Sequence, residues 1–193
     1  MTREKILEAA ARIFSQKGFH ATSMQDIANA VNLQKASLYH HVSSKQEILL
    51  ALSNMALDMV TEKVGEASNL SLPPDERLRI AIRIYLQTLA ERRGLSAIFV
   101  FEHRFLEPEL RARHIPRRDR FEHLWRGLIQ QGVDDGIFTC QDVALATRAL
   151  LGVMSWTITW YRSDGTLSAT EIADQFTELI LNGLIIREED HEV

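Results

Sequence analysis

Apolar residues recur at helical spacing almost from the start of the chain. Ile6, Leu7, Ala10, Ala11, Ile13 and Phe14 share one face of segment 3–16, the period of an amphipathic helix. Gly18 follows, where a C-terminal cap needs positive φ. Ser23 with Asp26 three residues on opens a second, short helix as a capping box. Ile27, Ala28 and Val31 give it a narrow apolar face. Asn32 and Leu33 interrupt it, and Asn tolerates the left-handed backbone that a tight inter-helix turn requires. A third short helix is predicted over 35–41. Ser44 with Glu47 forms another capping box, and a long helix runs on through Ile48, Leu49, Leu52, Met55 and Val60.

The helical pattern continues with few breaks. A loop at 69–74 ends in two prolines, the second suited to open a helix. Segment 75–92 turns Leu78, Ala81, Ile82, Tyr85, Leu86 and Leu89 inward. A short apolar stretch spans 95–104, and prolines mark breaks at Pro108 and Pro116. Segment 117–131 is amphipathic, Gly132 and Gly136 punctuate a turn, and two long helices are predicted over 141–162 and 168–186, the last opened by Ser168 and Glu171. No repeat or low-complexity segment interrupts this. The expected fold is all-α: an N-terminal three-helix helix-turn-helix domain over 1–48 and a C-terminal helical domain for ligand binding and dimerisation over 49–193.

Composition agrees. Hydrophobic residues are 46% of 193, enough for a core, and only 9 Gly and 4 Pro are present. The single Cys140 excludes an intrachain disulfide and points to a reducing, cytoplasmic setting. The amphipathic start is not a signal peptide. No apolar run reads as long enough to cross a bilayer, so no membrane partner is expected. Net charge is -4, but Arg3, Lys5, Arg12, Lys17, Lys35 and Lys45 outnumber Glu4, Glu8, Asp26 and Glu47 within residues 1–50. A basic head on an acidic body suits a protein whose one end meets phosphate.

Two short helices joined by a tight turn make a helix-turn-helix, whose second member lies in the major groove and reads base edges from its N-terminal residues. Here those are Gln34, Lys35, Ala36 and Ser37. Tyr39 and His40 project from the same helix toward phosphate, and Lys45 is placed for a phosphate clamp. Three short helices packing without DNA would show the same spacing.

The block Gly18-Phe19-His20-Ala21-Thr22-Ser23-Met24-Gln25-Asp26-Ile27-Ala28, the stretch 32–42 around Leu38-Tyr39-His40-His41, and Ser44-Lys45-Gln46-Glu47 resemble the N-terminal motif of TetR-family transcriptional regulators. Asn32, Gln34, Ala36 and Val42 stand where that family commonly has Gly, Ser, Gly and Phe. The resemblance implies that Thr22, Ser23, Met24, Gln25, Gln34 to Ser37, Tyr39, His40 and Lys45 face DNA. It also implies a homodimer on a palindromic operator, released by a small-molecule inducer.

The last two helices are apolar on more than one side, so one face needs a partner unless the core is simply thick. Ala146, Leu150, Val153, Met154, Phe176, Leu179, Ile180, Gly183 and Leu184 are the expected dimer residues. Segment 156–176 is similar to TetR-type regulators of fatty-acid, steroid or aromatic acyl-CoA metabolism. Met59, Phe99, His103, Phe105, Arg118, Phe121, Trp125, Trp156 and Trp160 are the expected ligand set. Each is plain core by default, but together they suit a cavity between helices. Seven arginines between 104 and 126 beside that set suit an anionic amphiphile such as a CoA thioester. An uncharged hydrophobic or drug-like ligand is the alternative, and a helical-bundle enzyme a more remote one. No nucleophile elbow, phosphate loop or dinucleotide fingerprint occurs. His103, His114 and His123 lack metal-site spacing, so neither metal nor cofactor is expected.

Overall fold

A computed structural model describes residues 2–184 as helices α1 (Arg3–Lys17), α2 (Met24–Ala30), α3 (Lys35–Tyr39), α4 (Lys45–Ser68), α5 (Pro74–Glu91), α6 (Arg93–Phe101), a 3-10 turn (Glu102–Phe105), α7 (Pro108–Asp134), α8 (Val143–Trp160) and α9 (Ala169–Leu184). The described residues form an all-α chain, as the periodicity predicts. The helix ends also follow local chemistry. α1 stops at Gly18, whose N–H still donates to the Phe14 carbonyl while its φ of 82° turns the chain out of the helix. Ser23 and Asp26 complete the predicted capping box of α2. At 44–47 only half of the box forms: the Glu47 N–H donates to Ser44 Oγ, while the Glu47 carboxylate accepts from Arg113 at 2.8 Å.

Two compact units result. The first runs to Met59 and adds Arg92–Arg118; the second holds Val60–Glu91 and the chain from Asp119 onward. The first unit thus takes in more of the chain than residues 1–48. Ile98 of α6 and Leu106 enter the same core as Ile6, Phe14, Ile27, Leu38, Ile48 and Leu52. Glu102 accepts the Phe19 N–H at 3.2 Å, and the Gln46 amide bridges the Phe105 carbonyl and the Glu107 N–H. The short helices cannot bury enough apolar surface alone, and this later segment completes their core.

In the second unit α5 packs against α8 and α9. Its buried face is the predicted one: Leu78, Ala81, Ile82, Tyr85, Leu86 and Leu89. Each fully buried aliphatic side chain there contributes about 1.5–3 kcal/mol. Tyr85 meets Trp125 and Phe121 at ring-centre distances of 5.7 and 5.9 Å, and its hydroxyl lies 2.9 Å from Ser155 Oγ. Burial pushes its phenol up to about 12. Gly132 is required: a Cβ there would stand 2.1 Å from the Phe138 ring.

Two expectations need correction. Pro116 lies inside α7 and does not break it. The ring removes one backbone donor and crowds the Ala112 carbonyl. Both residues are exposed, so that carbonyl can be satisfied by solvent while buried His114 and Phe121 hold the turns on either side. And α8, with a mean hydropathy of 1.2 over Val143–Trp160, does have the length and composition of a membrane span. Its apolar residues divide between two faces. Thr147, Leu150, Met154, Thr157 and Ile158 are buried, whereas Leu145, Val153, Trp156 and Trp160 are exposed.

Candidate functional site

The turn between α2 and α3 is closed by backbone hydrogen bonds. The Leu33 N–H donates to the Ala28 carbonyl at 2.9 Å, and Asn32 takes φ 54°. Among the described residues it is the one non-glycine with positive φ, which is why Asn serves where a β-branched residue would be strained. Leu38, fully buried, pins α3 to the core. The rest of α3 is free to present itself. Gln34, Lys35, Ala36, Tyr39 and His40 are exposed and Ser37 is half-buried. Gln34 caps α3 through its backbone only, so its amide side chain is not used as a cap. Ser23 and Gln25 are exposed on α2, but Gln25 donates to Asn29 at 2.8 Å and Ser23 is held by Asp26. Bonds from the Ser23 N–H and hydroxyl, with Lys17 alongside, keep the Asp26 carboxyl below its usual range.

Three of the expected DNA-facing residues are placed otherwise. Thr22 is 2% exposed, and its hydroxyl donates to the Gly18 carbonyl at 2.8 Å. The side chain of Met24 is buried in the α1–α2 core. Lys45 is the larger correction. Its ammonium donates to the carbonyls of Phe19, His20 and Thr22 at 2.9, 3.4 and 2.7 Å and sits 4.4 Å from the Phe19 ring centre. An ammonium has three donors, and all three are engaged. Desolvation lowers its pKa. Lys45 thus ties the loop between α1 and α2 to the start of α4 and has no donor left for phosphate. Its position in the motif revealed a cation, but not the carbonyls folded over it.

The expected ligand residues divide between the two units. In the first, Met59 and Phe99 are half-buried, and Phe105 stacks parallel to Phe19 and edge-on to His20, 4.3 Å between centres. His103 faces His114, with 5.9 Å between ring centres. Arg118 is exposed, yet its charge acts on both rings. In the second, Phe121 and Trp125 belong to the Tyr85 cluster. Trp156 and Trp160 do not line an interior: both are exposed, and Trp160 meets Phe176 of α9 edge-on at 6.3 Å. Sequence reasoning missed Asn54, whose Oδ1 lies 2.7 Å from His114 Nδ1. No spacing signals a pair built from α4 and α7.

Of the expected dimer residues, Leu150 and Met154 are buried within the chain itself. Val153, Leu179 and Gly183 are exposed; Ala146, Phe176 and Ile180 are half-buried. The side chain of Leu184 lies outside the described residues. Leu145 at 63% exposure, Trp156 at 62%, Val153 and Trp160 are exposed on α8, and Leu179 at 69% is exposed on α9. Large apolar side chains this exposed call for a cover.

Comparison with known proteins bears on all of these features. Residues 6–52 match the family described as "Bacterial regulatory proteins, tetR family", and residues 71–184 match "Tetracyclin repressor-like, C-terminal domain". The transcriptional repressor KstR2 of Mycobacterium tuberculosis is 28% identical over 184 residues, covering 94% of this chain and 92% of that protein. The regulator PfmR of Thermus thermophilus is 40% identical, with a TM-score of 0.85 over 92% of this chain and 97% of that one. AibR, solved in complex with isovaleryl coenzyme A and operator DNA, is 31% identical with a TM-score of 0.85, covering 92% and 96%.

Proposed function

This chain belongs to the TetR family of bacterial transcriptional regulators, and on that premise we propose that it represses transcription as a homodimer that leaves its operator when a CoA thioester binds. Family members act by binding DNA, so the chain is a DNA-binding regulator and not an enzyme. The observation that carries the DNA reading is α3: a five-residue helix fixed by Leu38, with Gln34, Lys35, Ala36, Tyr39 and His40 turned to solvent. Gln34 and Lys35 reach base edges at the helix N-terminus, and Tyr39 and His40 donate to phosphate. Ser23, Gln25 and Ser37 flank the groove. A DNA target puts the protein in the cytoplasm.

A palindrome needs two recognition helices related by a two-fold axis. The exposed apolar face of α8 and α9 supplies the contact, with Leu145, Val153, Trp156, Trp160 and Leu179 meeting their equivalents. This occupant also explains why α8 is as apolar as a membrane span. Ala146, Phe176, Ile180 and Gly183 lie at its margin.

Support for a CoA thioester comes from AibR, solved with isovaleryl coenzyme A, and from the arginines of α7, whose planar donors match phosphate. Met59, Phe99 and His103 are half-buried groups of the unit that carries Arg104 to Arg118. Nothing in the structure favours an uncharged, drug-like effector. Release is a population shift, so the ligand must bind the DNA-incompetent arrangement more tightly.

Selection from random duplexes tests the reading. A palindromic site should be recovered, and isovaleryl-CoA and longer acyl-CoAs should be titrated against it by fluorescence anisotropy. Recovery of no preferred sequence would remove the repressor function; a complex indifferent to every CoA thioester would remove the inducer class.

A further inference from the structure

Inside the first unit, His114 of α7 is 1% exposed. Its Nδ1 contacts Asn54 Oδ1 on α4, and its ring faces His103. Among the described residues, His114 Nε2 has no hydrogen-bond partner, whereas the His103 ring is hydrogen-bonded to the Phe99 backbone. Buried polar atoms are nearly always paired, and unpaired ones mark strain or a binding function. Such a nitrogen on a fully buried ring, facing a second imidazole, points to a ligand.

The protons say which ligand. Because Asn54 presents its oxygen, His114 Nδ1 carries the hydrogen, and Nε2 of the neutral ring is an acceptor. The charged groups acting on these rings are Asp58 on α4, Arg104 of the 3-10 turn, and Arg111, Arg117 and Arg118 on α7. Asp58 is paired with Arg117 at 3.2 Å, so the surplus is positive. Burial is the first cause for both imidazoles; Arg118 follows for His103, and His103 itself followed by Arg118 and Arg117 for His114, which is depressed to about 4. The site therefore offers an acceptor nitrogen within a positive field. A hydroxyl satisfies the nitrogen but gains nothing from the field. A bare carboxylate suits the field but has no hydrogen for the nitrogen. A carboxyl group that shares one proton with the ring satisfies both.

We propose that His114, His103 and Asn54 form a binding site for a carboxyl group of the effector, and that its binding takes up one proton from solvent at neutral pH. The proposal rests on the effector-responsive reading above and narrows it, to a free carboxylic acid or to an acyl-CoA whose chain ends in a second carboxyl.

The test uses the full-length protein with labelled histidines, titrated with octanoate and with 1-octanol as the uncharged match. Octanoate should move the ring signals of His103 and His114, and its binding enthalpy in Tris and HEPES at pH 7.5 should differ by about one proton's buffer ionisation. Octanol should do neither. His114→Gln should weaken octanoate about tenfold or more and octanol less than about twofold. Suberyl-CoA binding about tenfold tighter than octanoyl-CoA would assign the carboxyl to the acyl chain; equal affinity, with octanoate bound at the rings, would assign it to a free acid. Silent histidine rings, buffer-independent heat, or equal loss of octanol in His114→Gln would overturn the proposal. Octanoate seated at the rings while operator DNA stays bound would instead count against induction and leave the carboxyl site standing. Release of DNA by acyl-CoAs with silent rings would do the reverse.

Discussion

α3 and α8 both leave a face open to solvent, and the two faces are chemical opposites. α3 buries Leu38 and turns an amide, an ammonium, a phenol and an imidazole outward. α8 buries Thr147 and Thr157 with its inner apolar residues and turns two tryptophans, Leu145 and Val153 outward. The polar face can meet a hydrated, charged polymer and still part from it in salt. The apolar face loses by every moment it spends in water, so it suits a permanent partner. The contrast separates a surface made for exchange from one made for assembly.

The comparison is most open to attack at its anchor. Leu38→Ala should cost the first unit about 2–5 kcal/mol, the range for a buried leucine truncated to leave a cavity. Urea unfolding would read it, and the outward residues of α3 would lose their orientation with it. Next in size is the apolar face. Trp156→Glu combined with Leu179→Glu touches no buried position, so each chain should stay folded and sediment as a monomer. Operator affinity should fall about 100-fold or more, about 3 kcal/mol. A double variant that remains dimeric would take α8 and α9 out of the interface.

Acid sharpens the contrast between the two units. His114 titrates near 6.5 when unfolded and at about 4 when folded. Between those values the unfolded chain binds more protons, so stability declines as pH falls from about 7 toward 4, by up to about 3 kcal/mol. Hydrogen exchange at pH 7 and 5 should show the loss in the unit that carries α3, and His114→Gln should flatten it. The smallest effect distinguishes two lysines. Lys35→Ala should reduce the slope of log affinity against log salt by about one. Lys45→Ala should leave that slope near its original value and lower the melting temperature instead, because it removes the tie to three carbonyls. A slope change from Lys45 and none from Lys35 would exchange their roles.

The legible features were those written in neighbouring residues. Ser23 and Asp26, Gly18, Asn32, and Ser168 with Glu171 act within one turn of themselves, so their chemistry survives in any context. The face of α5 was equally plain, since period 3.6 over five turns leaves one arrangement. Pro116 misled because a proline breaks a helix only where the freed carbonyl has no recourse. The tryptophans of α8 misled because an aromatic residue reads the same in sequence whether the fold buries it or leaves it exposed.

The chain's order of amino acids was sufficient for the helices, their caps, the helix-turn-helix and the family, because each depends on contacts a few residues apart. Three-dimensional packing alone decided that Lys45 spends its charge on backbone carbonyls, that the segment Arg92–Arg118 completes the N-terminal core, and that His103, His114 and Asn54 converge. Those outcomes join segments dozens of residues apart, and no local pattern encodes which distant surface will arrive to take a side chain's hydrogen bonds.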